Sequence, residues 1–517
     1  MKKRNPSNNS EEQIFQLLNK KQYLAAINVG LPQAIKENCS PQIFFYLGKA
    51  YLGLADEDSR INAVYWLQRA LKGGALNTLE KILLFVEAGK NLSLWAKNYD
   101  LLKDTKRRAD SGELTCPSKS VELGLWENFM LCAGALGKND EAYEGARRAF
   151  LAAETLRQKA INFSNMLLTA HYLDFSAAQL LAMHGGYNTI FDLILPYRHD
   201  LEKISEEIRQ TGRKIRIGYI SPDACRHVAA AFFIGLLKYA DRHRFTVYFY
   251  SLATKHDTVT EQTIQNAENF IDVSGMDYEE IAAKIYTDKI DILIDLAGHS
   301  ANSGLPVLAY KCATVQISGI GYLSTTGLKT VDYLITDRYV DPPGNENFLT
   351  ERPLYLTSQF SCAFPADLPP SIGAPCLQQG YITFGVFNRY AKITDTMLAA
   401  WRVILAQTPN SRLLLKYRSY RDKGLVALAK ERFQKAGLDI NRIDFEPASR
   451  DYMHRYLDVD IALDTYPYTG GGTTCDALYM GVPVVTLYGE RRNTRFSLGI
   501  LANMGNKTVT KNINKAV

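Results

Sequence analysis

The first two hundred residues carry their apolar side chains at helical spacing. From about Glu11 to Asp200, apolar residues recur three and four positions apart, and runs of β-branched residues are scarce. Apolar positions at this period form one hydrophobic stripe along a helix, whereas a half-buried strand alternates at every second residue. The pattern therefore predicts that residues 1–200 form an all-helical region.

Two stretches of this region share one arrangement of large and small residues. Each has large side chains on one helical face, followed by small residues on a second helix. They are Phe44, Leu47, Gly48, Tyr51, Ala63, Leu67 and Ala70 in the first stretch, and Trp126, Phe129, Ala142, Ala146 and Ala149 in the second. Small residues seven apart let two helices pack closely, as in the tetratricopeptide helical hairpin. We therefore expect tetratricopeptide-like repeats over residues 1–200, with an ordinary helical bundle as the alternative.

From Thr211 onward, short β-rich runs alternate with helical segments. The runs are residues 214–221, 245–252, 290–296, 315–320 and 333–336, and then 381–387, 412–416, 443–445, 460–463 and 483–487. This alternation predicts parallel sheets with helices on both faces. A Pro-rich linker at 364–380 separates the two groups, so we expect two doubly wound Rossmann-like domains, at 211–363 and 381–517. Such domains bind ligands at the carboxyl ends of their strands, and two of them facing one cleft form the GT-B arrangement.

Composition and charge exclude several classes of protein. The chain is 46% hydrophobic, which supports buried cores rather than disorder. Its net charge of +6 is spread over 60 basic and 54 acidic residues, so we expect no nucleic acid partner. We also expect no membrane span, since no apolar run is long enough, and residues 1–13 lack the apolar core of a secretory signal. The eight cysteines are scattered singly, without zinc spacing, which indicates reduced thiols and a cytoplasmic location.

The sharpest chemical signal is a glycine-rich turn between a predicted strand and a helix. Residues 470–476 read Gly-Gly-Gly-Thr-Thr-Cys-Asp. Backbone N–H groups at a helix start can face a phosphate, threonine hydroxyls can add donors, and a carboxylate can accept hydrogen bonds from ribose. The candidate binding residues are Gly471, Gly472, Thr473, Thr474 and Asp476. The alternative is that threonine caps the helix for stability alone, but the three preceding glycines favour a phosphate site.

This turn resembles the catalytic domain of the O-GlcNAc transferase and SPINDLY-like family. The run Thr-Thr-Cys-Asp-Ala-Leu-Tyr-Met-Gly-Val-Pro, residues 473–483, is closest to the SPINDLY branch. Other ordered stretches agree with the family, and they are residues 218–223 leading to His227, 296–302, 321–333, 336–344, and 382–394 followed by 409–412. The resemblance covers residues 214–505. It implies a GT-B glycosyltransferase with helical repeats upstream.

The resemblance assigns catalytic roles to Lys392 and His227. Lys392 follows a predicted strand ending at Asn388, where an ammonium can neutralise a departing diphosphate, and the family's essential lysine has the matching position. Without the motif, a lysine after a strand is usually a surface residue. His227 matches the family's active-site histidine, which would contact the sugar or the acceptor hydroxyl. Its ordinary pKa near about 6.5 allows proton transfer, but its role as general base stays open.

Further candidates surround the donor site. The resemblance places His299 in the donor pocket, at the carboxyl end of a strand, and Asn388 at the mouth of the second sheet. Arg389 replaces a neutral amide beside the diphosphate, where it either adds positive charge or points to solvent. Tyr452 stands where the family has a histidine near the nucleobase. Its ring can stack there, but the departure leaves the identity of the base open.

The implied reaction is inverting transfer of a sugar to Ser or Thr hydroxyls of a protein held by the repeats. UDP-GlcNAc is the expected donor, with GDP-fucose as a serious rival. The segment Asp458-Val459-Asp460 resembles the metal-binding Asp-x-Asp of another glycosyltransferase fold. It precedes a strand rather than ending one, so we interpret it as surface and expect no metal cofactor.

Other functions stay open at this point. One is a binding or scaffold protein whose transferase half is inactive, and another is a free-sugar or lipid glycosyltransferase, which would not need the repeats. Relatives continue past the segment that matches Arg495 to Gly505 with helices that complete the fold. This chain ends at Val517 after a polar segment, so we expect a truncated second domain.

Overall fold

The structure is a computed structural model, and it describes residues 6–365, 367–369, 371 and 373–505. It divides into two compact units. The first unit comprises the described residues up to Glu154 together with Ser419–Ala429. The second comprises Thr155–Arg418 and the described residues from Lys430 onward. The polar segment 506–515, on which the expectation of a truncated domain rests, lies outside the described residues.

The first unit consists of helices, as the spacing of apolar residues predicts. They are α1 (Pro6–Asn19), α2 (Tyr23–Ala34), α3 (Pro41–Leu54), α4 (Glu57–Lys72), α5 (Leu79–Asn91), α6 (Trp95–Asp110), α7 (Lys119–Ala135) and α8 (Asn139–Ala152). The two matched stretches form the hairpins α3–α4 and α7–α8. Close packing there depends on glycine, because a Cβ at Gly48 would lie 2.4 Å from Cγ of Leu67, and one at Gly145 would lie 3.0 Å from the backbone nitrogen of Met130.

The helices between residues 155 and 211 belong to the second unit. They are α9 (Leu156–Ala170), α10 (Ala177–Gly185), a 3₁₀ turn (Gly186–Phe191) and α11 (Leu201–Thr211). The buried hydroxyl of Ser164 in α9 is hydrogen-bonded over 2.8 Å to Nδ1 of His299 in the first sheet domain. The helical region predicted at 1–200 therefore divides near residue 155, because α9 packs against residues of the sheet domain.

The first doubly wound domain contains a parallel sheet. Its strands are β1 (Ile215–Ser221), β2 (Phe245–Ser251), β3 (Asn269–Asp272), β4 (Ile292–Asp295), β5 (Val315–Ser318), β6 (Tyr333–Thr336) and β7 (Arg352–Tyr355), in the order β3-β2-β1-β4-β5-β6-β7. The connecting helices are α12 (Val228–Lys238), α13 (Thr258–Asn266) and α14 (Tyr278–Thr287). The strand order reverses between β1 and β4, which places a ligand crevice at their carboxyl ends.

The sequence pattern missed the two edge strands of this sheet. The β3 strand is a short, half-polar Asn-Phe-Ile-Asp segment, so it has no apolar run to detect. The β7 strand contains Pro353, which cannot donate to a ladder and is tolerated at an edge. Edge strands need less burial than central ones, so their signal in the sequence is weak.

The second doubly wound domain has a smaller parallel sheet. Its strands are β8 (Ile382–Val386), β9 (Ser411–Lys416), β10 (Ile443–Glu446), β11 (Ile461–Leu463) and β12 (Val484–Val485), in the order β10-β9-β8-β11-β12. Its helices are α15 (Cys376–Gln379), α16 (Asp395–Gln407), α17 (Lys423–Lys435), α18 (Gly472–Tyr479) and α19 (Phe496–Asn503). Each of these strands matches a β-rich run predicted from the sequence. No helix in the described part of the chain combines the length and the apolarity needed to cross a membrane.

The two sheet domains share a core at their junction. The apolar cluster around β1, β2 and α12 includes Cys475 of α18 and Ile500 of α19. A Cβ at Gly472 would lie only 2.4 Å from Cγ2 of Val228, so the starts of α18 and α12 touch. The predicted GT-B architecture is confirmed, and the starts of these two helices meet where its two domains join.

Candidate active site

A buried carboxylate shapes the glycine-rich turn of the second domain. Asp464 follows β11 and accepts hydrogen bonds from the amide of Gly470 at 2.7 Å and from the hydroxyl of Thr486 at 2.7 Å. A Cβ at Gly470 would lie 2.5 Å from Oγ1 of Thr474, so the chain needs glycine here. These contacts fold the turn tightly around Asp464 and aim the following residues at the cleft.

The start of α18 offers amide groups to an anion. Gly471 has φ −119° and ψ −81°, and a Cβ placed on it would meet nothing within 4 Å among the described residues. Gly472 and Thr473 begin the helix, so their N–H groups have no acceptor within it. Open space beside helix-start amides fits a phosphate group.

The two threonine hydroxyls have different environments. Thr473 donates its hydroxyl proton to Oδ1 of Asn388 over 2.8 Å, which ties the turn to the end of β8. Thr474 is buried, and its hydroxyl is hydrogen-bonded to Oγ of Ser497 at 2.7 Å. The prediction that both hydroxyls donate to a phosphate is therefore corrected for Thr474, because its hydroxyl is already hydrogen-bonded inside the domain.

Lys392 lies at the edge of this turn with its ammonium group held by the protein. Its Nζ donates to the carbonyl of Thr469 at 3.0 Å and lies 3.9 Å from the ring centroid of Tyr468. Burial lowers the pKa of Lys392 to about 7, although the charge of Asp464 opposes the shift and that of Arg389 adds to it. The side chain is half-buried, so an anionic ligand can still reach it.

Arg389 adds a second positive charge beside Lys392. Its side chain is exposed to solvent, yet its pKa is raised, first by its electrostatic interaction with the phenol of Tyr172 and then by Tyr417 and Tyr468. The predicted alternatives were charge neutralisation or a solvent-facing side chain. The guanidinium of Arg389 lies among tyrosines and is also exposed to solvent, so a ligand can reach it.

His227 faces the turn from the first domain as the N-cap of α12. Its Nδ1 lies 3.1 Å from Oδ1 of Asp223 and 3.3 Å from the amide of Ala229. The hydrogen bond with Asp223 raises the pKa of His227, against the effects of burial and of the charge on Arg418. The N–H of Ala229 can donate to Nδ1 only when that nitrogen is unprotonated, whereas the contact with Asp223 needs a proton on it. We assign the proton to Nδ1, since the carboxylate is the closer partner. That leaves the lone pair of Nε2 free to accept a proton.

His299 is buried rather than open to the donor pocket. Its exposed fraction is 1%, and burial lowers its pKa well below the ordinary range, so the ring is neutral. Nδ1 is hydrogen-bonded to Ser164, and Nε2 to the carbonyl of Thr326, both at 2.8 Å. Its neighbours include the rings of His184 and Tyr187. With both nitrogens occupied, His299 holds the loop after β4 in place, and the expected donor contact is corrected.

Tyr452 and Asp476 form a hydrogen-bonded pair that joins the segment before β11 to the start of α18. The hydroxyl of Tyr452 donates to Oδ2 of Asp476 over 2.9 Å, and burial raises the pKa of Asp476 to about 6. One oxygen of the Asp476 carboxyl therefore already has a hydrogen-bond partner. The hydroxyl of Tyr452 is thus held by this carboxyl, and the hydrogen bond leaves the faces of its ring unoccupied.

The Asp458-Val459-Asp460 segment supports its own domain. Asp458 pairs with Arg455 at 2.5 Å, and Asp460 accepts hydrogen bonds from the amides of Cys376 and Thr383. The side chain of Asp458 is 46% exposed, as the expected surface position requires, and Asp460 is half-buried. Within the described residues, no group of three or more His, Cys, Asp or Glu side chains is arranged to hold a metal ion.

Three residues that the sequence analysis did not select contribute to the site. Asp464 directly follows β11, Asp223 lies four residues before His227, and the ring of Tyr468 lies against the ammonium of Lys392. Acidic residues directly after predicted strands were a usable signal for the two carboxylates. The tyrosine had no such signal, because aromatic residues are frequent in this chain.

Comparison with known proteins gives a family and related sequences. The sequence profile of glycosyl transferase family 41 matches residues 185–366 and 374–515. SPINDLY of Arabidopsis thaliana, named a probable UDP-N-acetylglucosamine–peptide N-acetylglucosaminyltransferase, is 38% identical over 313 residues, which are 58% of this chain and 34% of SPINDLY. SEC of the same plant, named in the same way, is 29% identical over 319 residues, 58% of this chain and 32% of SEC. The chain thus spans about a third of the length of these relatives.

A solved structure has the same fold. A mutant of the O-GlcNAc transferase of Thermobaculum terrenum superposes with a TM-score of 0.77 at 24% sequence identity, covering 92% of this chain and 88% of that one. The match extends across the helical region and both sheet domains, so it supports the architecture over most of the described chain.

Proposed function

The chain belongs to glycosyl transferase family 41, and on this premise we propose that it transfers a sugar from a nucleoside diphosphate to Ser or Thr hydroxyls of a protein. The observation that carries the proposal is the ammonium of Lys392, held at the edge of an open glycine-rich turn. The proposed donor is UDP-GlcNAc, in agreement with the names of the SPINDLY and SEC proteins. We place the activity in the cytoplasm, in accordance with the free cysteines.

The proposed reaction divides the chemistry between the two domains. The acceptor hydroxyl gives its proton to Nε2 of His227, while the carboxylate of Asp223 stabilises the imidazolium that forms. The acceptor oxygen then bonds to the anomeric carbon as the bond to the diphosphate breaks, with inversion. Lys392, Arg389 and the first amides of α18 stabilise the charge that develops on the diphosphate. These groups supply the positive charge, so the proposed mechanism requires no metal.

We propose that the helical unit holds the protein acceptor. A groove of about 830 Å³ lies among α6, α7 and α8, with Trp126 and Phe129 in its wall and Asp100 and Asp140 among its charged residues. The guanidinium of Arg148 lies 4.5 Å from the Trp126 ring and lines the same groove. The two aromatic side chains are only 4% exposed, so the charged side chains around the groove are the groups that would pair with an extended peptide.

GDP-fucose remains the rival donor in this proposal. The segment 473–483 is closest to the SPINDLY branch, and Tyr452 pairs with Asp476 where the family has a histidine near the base. The same cleft geometry serves either sugar nucleotide, because the diphosphate contacts are common to both. Direct binding measurements distinguish UDP-GlcNAc from GDP-fucose as the donor.

The proposal is tested with a panel of UDP- and GDP-sugars. Calorimetry measures binding, and intact mass of candidate acceptor proteins measures transfer. We expect one donor to bind and transfer, and Lys392→Ala to reduce transfer strongly. Lys435→Ala is the matched control, since this exposed lysine lies in the same domain and pairs only with Glu431 four residues away. Absence of binding by every nucleotide sugar, or undiminished transfer by Lys392→Ala, would contradict the proposed function.

A further inference from the structure

Tyr172 reaches the donor site from the helical segment that precedes the first sheet domain. It follows His171, the C-cap of α9. Its ring stacks on that of Tyr468, with centroids 5.0 Å apart and planes inclined by 30°. Tyr468 in turn lies against the ammonium of Lys392 at 3.9 Å. A continuous line of contacts therefore runs from the end of α9 to the lysine proposed to receive the diphosphate.

The main chain around Tyr172 is fixed to the second sheet domain. The guanidinium of Arg491 donates to the carbonyls of Leu173 at 2.7 Å and Phe175 at 2.9 Å. The side-chain amide of Asn493 donates to the carbonyl of His171 at 3.3 Å. Both donors are buried, with exposed fractions of 8% for Arg491 and 1% for Asn493. Because the main chain is held by hydrogen bonds on both sides of Tyr172, the ring of Tyr172 has little freedom to move away from the ring of Tyr468.

We propose that Tyr172 is a positioning residue for the transfer reaction: its ring fixes Tyr468, and Tyr468 fixes the ammonium of Lys392 where the diphosphate departs. This inference rests on the proposed function, because it gives Lys392 the role of stabilising the leaving group. An ammonium at the end of a four-carbon chain has many rotamers, and a polarisable ring face limits them. Supporting that ring from behind by a second aromatic ring keeps the ammonium in one place.

The hydroxyl and the ring of Tyr172 have separable effects. The phenol lies in the electrostatic field of Arg389, whose pKa it raises more than any other neighbour does. The stack on Tyr468 depends only on the ring. Tyr172→Phe therefore keeps the contact that positions Lys392, whereas Tyr172→Leu removes it. A purely structural role would not separate the two variants by their effect on turnover.

The test compares these variants with a stacked pair elsewhere in the same unit. Tyr197 stacks on Tyr286 with centroids 4.1 Å apart, so Tyr197→Leu removes an equivalent aromatic contact away from Lys392. Thermal unfolding establishes that each variant is folded. We expect kcat to fall about 10- to 100-fold in Tyr172→Leu, the range for a misplaced catalytic group, with the acceptor KM unchanged. Tyr172→Phe and Tyr197→Leu should stay within about twofold of the parent protein.

A double-mutant cycle asks whether Tyr172 acts through Lys392. The readout is the Kd of UDP and GDP, measured by calorimetry at pH 7, which needs no turnover. Tyr172→Leu should weaken nucleotide binding in the parent protein but cause no further loss in Lys392→Ala. Activity of Tyr172→Leu within twofold of the parent, an equal loss in Tyr172→Phe, or independent losses in the cycle would overturn the inference.

The two proposals fail in different ways. If the parent protein binds a nucleoside diphosphate but transfers no sugar to any acceptor, the proposed function fails, while the cycle on nucleotide affinity still decides the role of Tyr172. If the parent transfers sugar and the cycle shows independent losses, only the inference about Tyr172 fails. If no nucleotide binds, both are wrong.

Discussion

Binding of the sugar nucleotide is expected to draw a proton onto Lys392. Burial lowers the pKa of this ammonium to about 7 in the free protein, although the carboxylate of Asp464 partly opposes the shift. A bound diphosphate brings negative charge to the ammonium, and opposite charge favours the protonated form of lysine. The pKa of Lys392 therefore rises on binding, towards its ordinary value of 10.5.

The size of the effect follows from these two pKa values. At pH 8 a group with a pKa of about 7 is about one-tenth protonated, whereas in the complex it is protonated, so binding takes up about 0.9 proton. At pH 6 the free lysine is already about nine-tenths protonated, and the uptake falls to about 0.1 proton. Because the cationic form binds the donor, affinity weakens about tenfold between pH 6 and pH 8, or about 1.4 kcal/mol.

Calorimetry of UDP-GlcNAc or GDP-fucose, in buffers with different ionisation enthalpies, measures this uptake directly. The phosphates of a sugar nucleotide are diesters that do not titrate in this range, so the proton belongs to the protein. Lys392→Ala should abolish most of the uptake and leave only the contribution of His227, whose pKa is raised by Asp223. Uptake below about 0.3 proton at pH 8, or equal uptake in Lys392→Ala, would refute the assignment of this lysine to the diphosphate.

Three further changes test other parts of the cleft. Asp223→Asn removes the negative charge and weakens the hydrogen bond that raise the pKa of His227, so the acidic limb of the kcat/KM profile should move to lower pH. His227→Ala should lower kcat about 10²- to 10⁴-fold with donor Kd retained. Gly471→Val places a side chain in open space, so the thermal midpoint should not change, whereas calorimetry should show at least about tenfold weaker donor binding. Arg492→Met leaves the buried carboxylate of Asp341 unpaired and should destabilise the protein by about 3–5 kcal/mol in denaturant titrations, with partial recovery when Asp341→Leu is added.

The order of motifs along the chain was sufficient to predict the fold. Apolar positions three and four apart gave the helices, and alternating β-rich runs gave each central strand of both sheets. These elements are readable because a central strand is apolar on both faces and a packed helix has one apolar stripe. The edge strands β3 and β7 were not predicted, since edge strands tolerate polar residues and proline.

The candidate site was only partly predictable. Lys392 lies beside the glycine-rich turn, His227 precedes α12 next to Asp223, and Gly471 faces open space. His299 and Thr474 have equally suitable chemistry but are buried, with their polar atoms already hydrogen-bonded. A motif fixes the residue type and its place near a strand end, whereas the direction of the side chain depends on what packs against it.

The sequence by itself determined the helical region, the two doubly wound domains, the glycine-rich turn and the lysine beside it. Each of these depends on local spacing or on a short ordered motif. Only the tertiary structure decided that α9 packs with the sheets, that Asp223 orients His227, and that Tyr172 supports Tyr468. The tyrosines are 296 positions apart in the chain by the difference of their numbers, 468 and 172. Contacts over such separations leave no periodic signal, because they arise from the packing of whole elements rather than from the residues near them in sequence.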